Sequence, residues 1–313
     1  MFEGIKHLSW FMKKIDEVCL LSMTLIFFNI GSLYSQSVYP PKIESDTSFV
    51  YKKVNELNLK LWVFNPPQSI KNDPRPAIVF FFGGGWKGGN PNQFLEHCKY
   101  LSARGMVAIL ADYRVSSRNN TTAVYAVKDA KSAIRWVRKN ADALGVTPDK
   151  IVASGGSAGG HLAAATGTIP MHDEVTEDKN VSSRPNAMIL FNPVVILYPF
   201  EKISSSWEKN NYTLTKLGVA PEVLSPYNFI NENTPPTIIF HGEADTTVDY
   251  KTVLKFDSKM KTYGNECVTH LYEGEKHGFF NHNRNAENGA YDATMIKVDS
   301  FLVVNGFLEK HKN

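Results

Sequence analysis

Ala77, Ile78, Val79, Phe80, Phe81 and Phe82 form an unbroken apolar run, and Gly83, Gly84 and Gly85 end it. Side chains alternate between the two faces of a strand, so a strand with one wet face alternates apolar with polar residues. A continuous apolar run fits a strand covered on both faces, the pattern of a parallel sheet buried between helices. Short β-rich runs recur at 49–54, 57–64, 106–112, 150–154, 187–192, 237–241 and 268–272. Between them lie helical patterns at 94–103, 123–144, 247–263 and 290–308. In the second of these, Val124, Val127, Ala130, Ile134 and Val137 share one face and Gly145 follows; Gly264 follows the third. Glycine just past a periodic segment is the usual helix stop. The first two strands come in succession and the rest alternate with helices. This order predicts one α/β domain, a mostly parallel sheet of about eight strands with helices on both faces.

The balance of residues agrees with a folded, soluble domain: 43% are hydrophobic and 21% charged, which excludes intrinsic disorder. The net charge of +3 comes from 34 basic and 31 acidic residues scattered along the chain. No basic stripe marks a nucleic-acid partner. Lys13 and Lys14 precede an apolar run at 18–30, and small and polar residues follow at 31–36. A basic start, a short apolar stretch and a small-residue exit describe a secretory signal peptide. The run is shorter than the roughly 20 residues of a membrane span. The expected plan is a signal peptide at 1–35, a leader at 36–47 and the α/β domain at 48–313. The expected location is secreted or periplasmic, with no stable membrane span after cleavage. Cys98 and Cys267 remain after cleavage and are expected to be unpaired, buried thiols. Residues 194–235 separate two core strands and carry Trp207, Tyr212 and Tyr227. A connection that long is expected to be an insertion over the C-terminal edge of the sheet, where open α/β sheets bind ligands.

Residues 150–165 read KIVASGGSAGGHLAAA. A strand enters Gly155-Gly156-Ser157-Ala158-Gly159 and a helix of small residues leaves it, which is G-x-S-x-G between strand and helix. Such a turn exposes a serine hydroxyl at a helix N-terminus, whose N–H groups favour a developing oxyanion. A serine hydroxyl needs a base to attack at neutral pH. On this architecture the partners follow in the order serine, acid, histidine. Asp245 lies just past the strand ending at His241, with Glu243 and Asp249 as rivals. His277 lies in the loop after residues 268–272, with His282 as runner-up. His161 and His241 are expected to pack or hydrogen-bond locally. The expected catalytic set is Ser157, Asp245 and His277. The expected oxyanion donors are the backbone N–H groups of Gly84, Gly85 and Ala158.

With these residues in hand, the chain resembles the α/β-hydrolase superfamily over about residues 48–310, most closely its hormone-sensitive-lipase-like and bacterial acetyl or feruloyl esterase branch. Asp112-Tyr113-Arg114, Ser183-Arg184-Pro185-Asn186 and His241-Gly242 belong to the resemblance and carry no assigned chemistry. The oxyanion loop of that branch usually reads His-Gly-Gly-Gly, and here Phe82 stands in the histidine position. Phe82 cannot supply the histidine's hydrogen bonds and is expected to hold the loop by packing. With so short a leader, the helical N-terminal cap of many relatives is not expected. The resemblance implies the α/β-hydrolase fold and an exported serine carboxylesterase that cleaves acetyl or hydroxycinnamoyl esters, small or borne on polysaccharide. It calls for no cofactor and no metal. Trp86 and Trp207 are candidate substrate-binding residues that stack on a sugar ring or an aromatic acyl group; packing against the core is the alternative for both. Two further readings stay open: a serine peptidase or acyltransferase on the same fold, and a non-catalytic binding module. Neither the oligomeric state nor the identity of the acyl group follows from the sequence.

Overall fold

The computed structural model describes residues 39–67, 73–200, 212–283 and 289–310. The expected signal peptide at 1–35 lies outside the described residues. Among those described, β1 (Thr47–Val54), β2 (Leu57–Phe64), β3 (Arg75–Phe81), β4 (Val107–Ala111), β5 (Val146–Gly156), β6 (Ala187–Phe191), β7 (Thr237–Gly242) and β8 (Cys267–Tyr272) form one sheet. Their spatial order is β1-β2-β4-β3-β5-β6-β7-β8. β2 runs antiparallel to both of its neighbours, and every other pair is parallel. This mostly parallel, eight-stranded sheet is that of the α/β-hydrolase fold.

The apolar run that opened the argument is buried on both sides, as its composition requires. Ala77, Val79 and Phe81 join one half of the core, and Ile78 and Phe80 join the other. The first half is closed by α2 (Ala123–Lys139), α3 (Ala158–Thr168) and α4 (Lys251–Thr262), through residues such as Ile134, Leu162 and Phe256. The second is closed by α1 (Leu95–Ala103) and α5 (Gly289–Val304), through Leu101, Phe301 and Leu302. Cys98 and Cys267 sit in different halves of the core, each a buried free thiol. Among the described residues no helix is long and apolar enough to cross a membrane.

Three helices differ in extent from the pattern in the sequence, each for a local reason. The stretch expected as one helix over 123–144 breaks at Asn140 (φ −105°, ψ 23°), and a separate turn, Ala141–Leu144, follows. Trp136 O there accepts both from Asn140 N, at 3.0 Å, and from Asn140 Nδ2, at 2.8 Å, so the asparagine side chain closes the end of the helix. The helix expected from 247 begins at Lys251, because the Thr247 and Val248 N–H groups donate to the Asp245 carboxylate instead. The last helix ends at Val304 rather than 308, just before Gly306 with φ +72°.

Two of the unassigned motifs prove to be structural. Arg114 donates to both Asp129 carboxylate oxygens, at 2.7 and 2.6 Å, and Lys52 pairs with the same carboxylate at 2.8 Å. Asp129 lies on α2 and Lys52 on β1, so this buried cluster fastens the helix to the sheet edge. Asn186 Oδ1 accepts from Ile151 N at 3.1 Å, which ties the approach to β6 onto β5. Because β3 and β5 to β8 are parallel, the loops after them all emerge at one edge of the sheet.

Candidate active site

Ser157 sits at that edge, between β5 and α3, with φ 56° and ψ −117°. A positive φ is costly for a residue with a Cβ, so this is backbone strain of the kind concentrated at functional sites. The turn survives because its surroundings hold it. Ser157 N donates to Phe191 O at 2.9 Å, and His161 N donates to Ser157 O at 2.9 Å. Gly159 is required by close approach, since a Cβ there would lie 2.0 Å from Phe81 O. Ala158 occupies the first position of α3, where backbone N–H groups have no helical acceptor.

The glycine turn after β3 faces the same edge. Lys87 N and Gly88 N both donate to Gly84 O, at 3.0 and 3.1 Å, which closes the turn. Gly84 has φ +122°, and a Cβ there would lie 2.4 Å from Gly88 O, so only glycine fits. The Phe82 ring stacks on Tyr113 with centroids 4.1 Å apart, and Tyr113 Oη donates to Phe82 O at 2.6 Å. Packing therefore anchors the strand end where the usual histidine is missing.

Asp245 follows β7 and its side chain is fully buried. Its Oδ1 accepts from Thr247 N at 2.8 Å and Val248 N at 3.0 Å. Its Oδ2 accepts from His277 Nδ1 at 2.7 Å and Asn192 Nδ2 at 3.2 Å, and it lies 3.2 Å from His241 Nε2, which donates to Val248 O at 2.9 Å. Burial alone would raise the pKa of this carboxyl, but the His241 and His277 rings beside it outweigh that effect and hold the group well below the usual carboxylate range. An ionised carboxylate can only accept, so the His277 proton must sit on Nδ1 and the neutral ring presents a bare Nε2. The rivals are engaged elsewhere: Asp249 Oδ1 accepts from Lys251 N at 2.9 Å, Glu243 is exposed, and the His282 ring lies edge-on to Tyr291 at 5.0 Å.

A cavity of about 680 Å³ is lined by Ser157, His277, Gly84, Gly85, Ala158 and Trp86, among others. The expected nucleophile, base and oxyanion donors thus meet at one opening, with the Asp245 carboxylate held behind His277. Trp86 lines the cavity but is only 3% exposed, wedged edge-on against His161 (5.0 Å) and Tyr212 (5.9 Å). It is a packed wall of the site rather than a freely presented platform. Trp207 lies outside the described residues. From the long connection at 194–235, Val194, Tyr212 and Lys216 reach the cavity. His161 plays the local part expected of it: its Nε2 donates to Leu224 O at 2.8 Å and joins that connection to α3.

Residues 62–260 match the BD-FAE family. The chain belongs to the BD-FAE family, in the esterase branch of the α/β hydrolases. Thermogutta terrifontis esterase 2, solved after phosphonylation by sarin, shares 48% identity over 88% of this chain and 100% of its own, with a TM-score of 0.84. The same esterase with propionate bound is 50% identical over 88% of this chain and 100% of its own, with a TM-score of 0.82. Among curated relatives, an acetylxylan esterase of Xylanibacter ruminicola is 29% identical over 67% of this chain and 42% of its own length. Esterase LipC of Mycobacterium tuberculosis is 27% identical over 68% of this chain and 55% of its own length. The chain spans about half the length of these curated relatives.

Several residues of the site carry no local signature in the sequence of this family member. Asn192, fully buried with φ 41°, donates to Asp245 and accepts from Gly278 N at 3.2 Å. Its only sequence signal is an asparagine at a strand end before Pro193. Gln93 and Asn281 also line the cavity, and nothing in their immediate neighbours distinguishes them from surface amides.

Proposed function

We propose that the chain is an exported serine carboxylesterase that hydrolyses short acyl esters through an acyl-enzyme. The observation that carries this reading is that His277, bonded to Asp245 at 2.7 Å, lines one cavity with a strained serine. His277 Nε2 takes the Ser157 proton as Oγ bonds to the ester carbonyl carbon. Asp245 fixes the imidazole tautomer and stabilises the imidazolium that forms. The N–H groups of Gly84, Gly85 and Ala158 receive the oxyanion. Collapse of the tetrahedral intermediate breaks the bond to the alcohol oxygen, which leaves with the proton from His277. Water, deprotonated by the same ring, then releases the acid and restores Ser157.

The phosphonylated state of a relative at 48% identity supports an activated nucleophile, because organophosphorus reagents capture such groups. Propionate and butyrate in structures of that esterase support a short acyl group, acetyl included. The amides of Asn90 and Asn92 on the cavity wall suit a hydroxylated alcohol, small or on a polysaccharide. Export rests on Lys13 and Lys14 ahead of the apolar run at 18–30.

Ser157→Ala tests the reading. The variant is expected to fold normally, to lose about six orders of magnitude in kcat on p-nitrophenyl acetate, and to escape labelling by a fluorophosphonate. Hydrolysis undiminished in Ser157→Ala would overturn it. A panel of acetyl, butyryl and feruloyl esters beside acetylated xylan separates the acyl and alcohol preferences.

A further inference from the structure

The glycine turn after β3 does not stand on its own hydrogen bonds. Gly83 N donates to Gln93 Oε1 at 2.6 Å. Gln93 Nε2 donates to Asn281 Oδ1 at 3.0 Å, across 188 residues of sequence. Asn281 Nδ2 donates to Gly278 O at 2.7 Å, next to His277. On its other side Gly278 N donates to Asn192 Oδ1 at 3.2 Å, and Asn192 Nδ2 donates to Asp245 Oδ2 at 3.2 Å. The links run unbroken from the first glycine of the turn to the acid behind His277. Both ends dictate how the amides lie, since a backbone N–H needs an oxygen and a backbone carbonyl needs an N–H.

The base of this chain of bonds is rigid. Gln93 belongs to the 3₁₀ turn Pro91–Phe94, capped by Asn90 Oδ1 accepting from Asn92 N at 2.9 Å. Phe94 beside it is fully buried and stacked on Phe80 and Phe280, at 5.0 and 5.9 Å. Three successive glycines have wide conformational freedom and need outside support to keep one shape. Oxyanion donors act only when held about 2.7–3.1 Å from where the charge develops. The Phe82 ring cannot supply a hydrogen bond to the turn.

We propose that Gln93 and Asn281 are positioning residues, a hydrogen-bonded strut that sets the Gly84 and Gly85 donors against the His277 loop in place of the absent histidine. The proposal rests on the ester-hydrolase reading above and goes beyond it by assigning two residues that touch neither the nucleophile nor the acid.

The test uses Gln93→Met, Asn281→Leu and the double variant in the full chain. Gln93→Met is expected to lower kcat on p-nitrophenyl acetate about ten- to a hundredfold, with KM within about twofold, because the loss falls on the transition state. Inhibition by an alkylboronic acid, whose adduct on serine is tetrahedral, should weaken by the same factor as kcat. The ascending limb of the pH–rate profile should stay where it is in the parent, since the Asp245–His277 bond is untouched. The double variant should lose no more than the worse single one, because either change breaks the same strut. Parental kcat and boronate affinity in Gln93→Met, or additive losses in the double variant, would overturn the strut. If Gln93→Met melts below the assay temperature, Asn281→Leu, at a half-buried position, decides by the same readouts. A parent that hydrolyses ester and takes up fluorophosphonate while Gln93→Met matches it refutes the strut alone. A parent that does neither refutes the hydrolase reading, and the strut with it.

Discussion

Two histidines show how one side chain takes opposite parts in this protein. His277 is partly exposed, bonded to a carboxylate and open to the cavity. His97 is fully buried among aromatic rings, 4.9 Å from Phe94 and 4.8 Å from Tyr291. Burial, helped by the charge of His282, pushes the His97 pKa from 6.5 down to about 3. The folded ring therefore stays neutral where an unfolded one takes a proton. Its folded pKa lies below its unfolded one, so its stability contribution is whole above pH 6.5 and declines as the pH falls from there toward about 3. The limiting slope is about 1.4 kcal/mol per pH unit for one unmatched proton. His97→Phe, which keeps an aromatic ring in an aromatic site, is expected to flatten the decline of the unfolding free energy between pH 6 and about pH 4. Urea titrations at a series of pH values measure it, and an unchanged slope in the variant would assign the decline to other groups.

At the scale of elements, α2 is held to the sheet by charge as well as by its apolar face. Asp129 receives Arg114 and Lys52 with its own side chain fully buried. Burial works against the charge on Arg114, yet the bond to Asp129 raises its pKa above the ordinary value. Removing the carboxylate would take the partner of Arg114 away inside the protein, while Lys52 keeps Glu174 at 3.1 Å. Asp129→Ala is expected to cost about 3–5 kcal/mol, the range for breaking a buried ion pair from one side. A urea midpoint within error of the parent would show that the helix is fastened by apolar packing alone. The element that carries Ser157 depends on a different kind of fit. α3 is made of small residues and enters the space beside β3 so closely that Gly159 has no room for a methyl group. Strain at the serine is sustained by this packing, which links the architecture of the helix to the chemistry at its N-terminus.

For the molecule as a whole, the sheet, both halves of the core and the cavity are assembled from residues 43–310. Among the described residues, those that line the cavity lie between Gly83 and Asn281. A chain beginning at residue 37 is therefore expected to match the full-length protein in unfolding midpoint and in kcat on p-nitrophenyl acetate, and reductant is expected to leave its midpoint unmoved because Cys98 and Cys267 are buried in separate halves of the core. Thermal scans with and without dithiothreitol check both. A midpoint that falls on truncation would mean that residues before 37 carry part of the stability.

The features legible in the sequence are those governed by short-range rules. Six apolar residues in a row, then glycines, can hardly be other than a buried strand and a turn, and β3 ends at Phe81, one residue before that run does. The placement of Ser157, Asp245 and His277 follows because parallel strands all end at one edge, so position along the chain translates into position in space. Helix ends were less legible. The break at Asn140 and the late start at Lys251 depend on single side-chain bonds to the backbone, and those have no periodic trace. Least legible of all were Asn192, Gln93 and Asn281, three amides of ordinary surroundings in the sequence. Their partners lie 53, 10 and 188 residues away, and a hydrogen bond of 3 Å between such distant groups exists only once the sheet has brought its loops together. Local sterics and hydrophobic periodicity determined the strands and the order of the reacting groups; only the tertiary structure decided which polar atoms hold them in place, because hydrogen bonding acts over a few ångströms of space and is indifferent to separation along the chain.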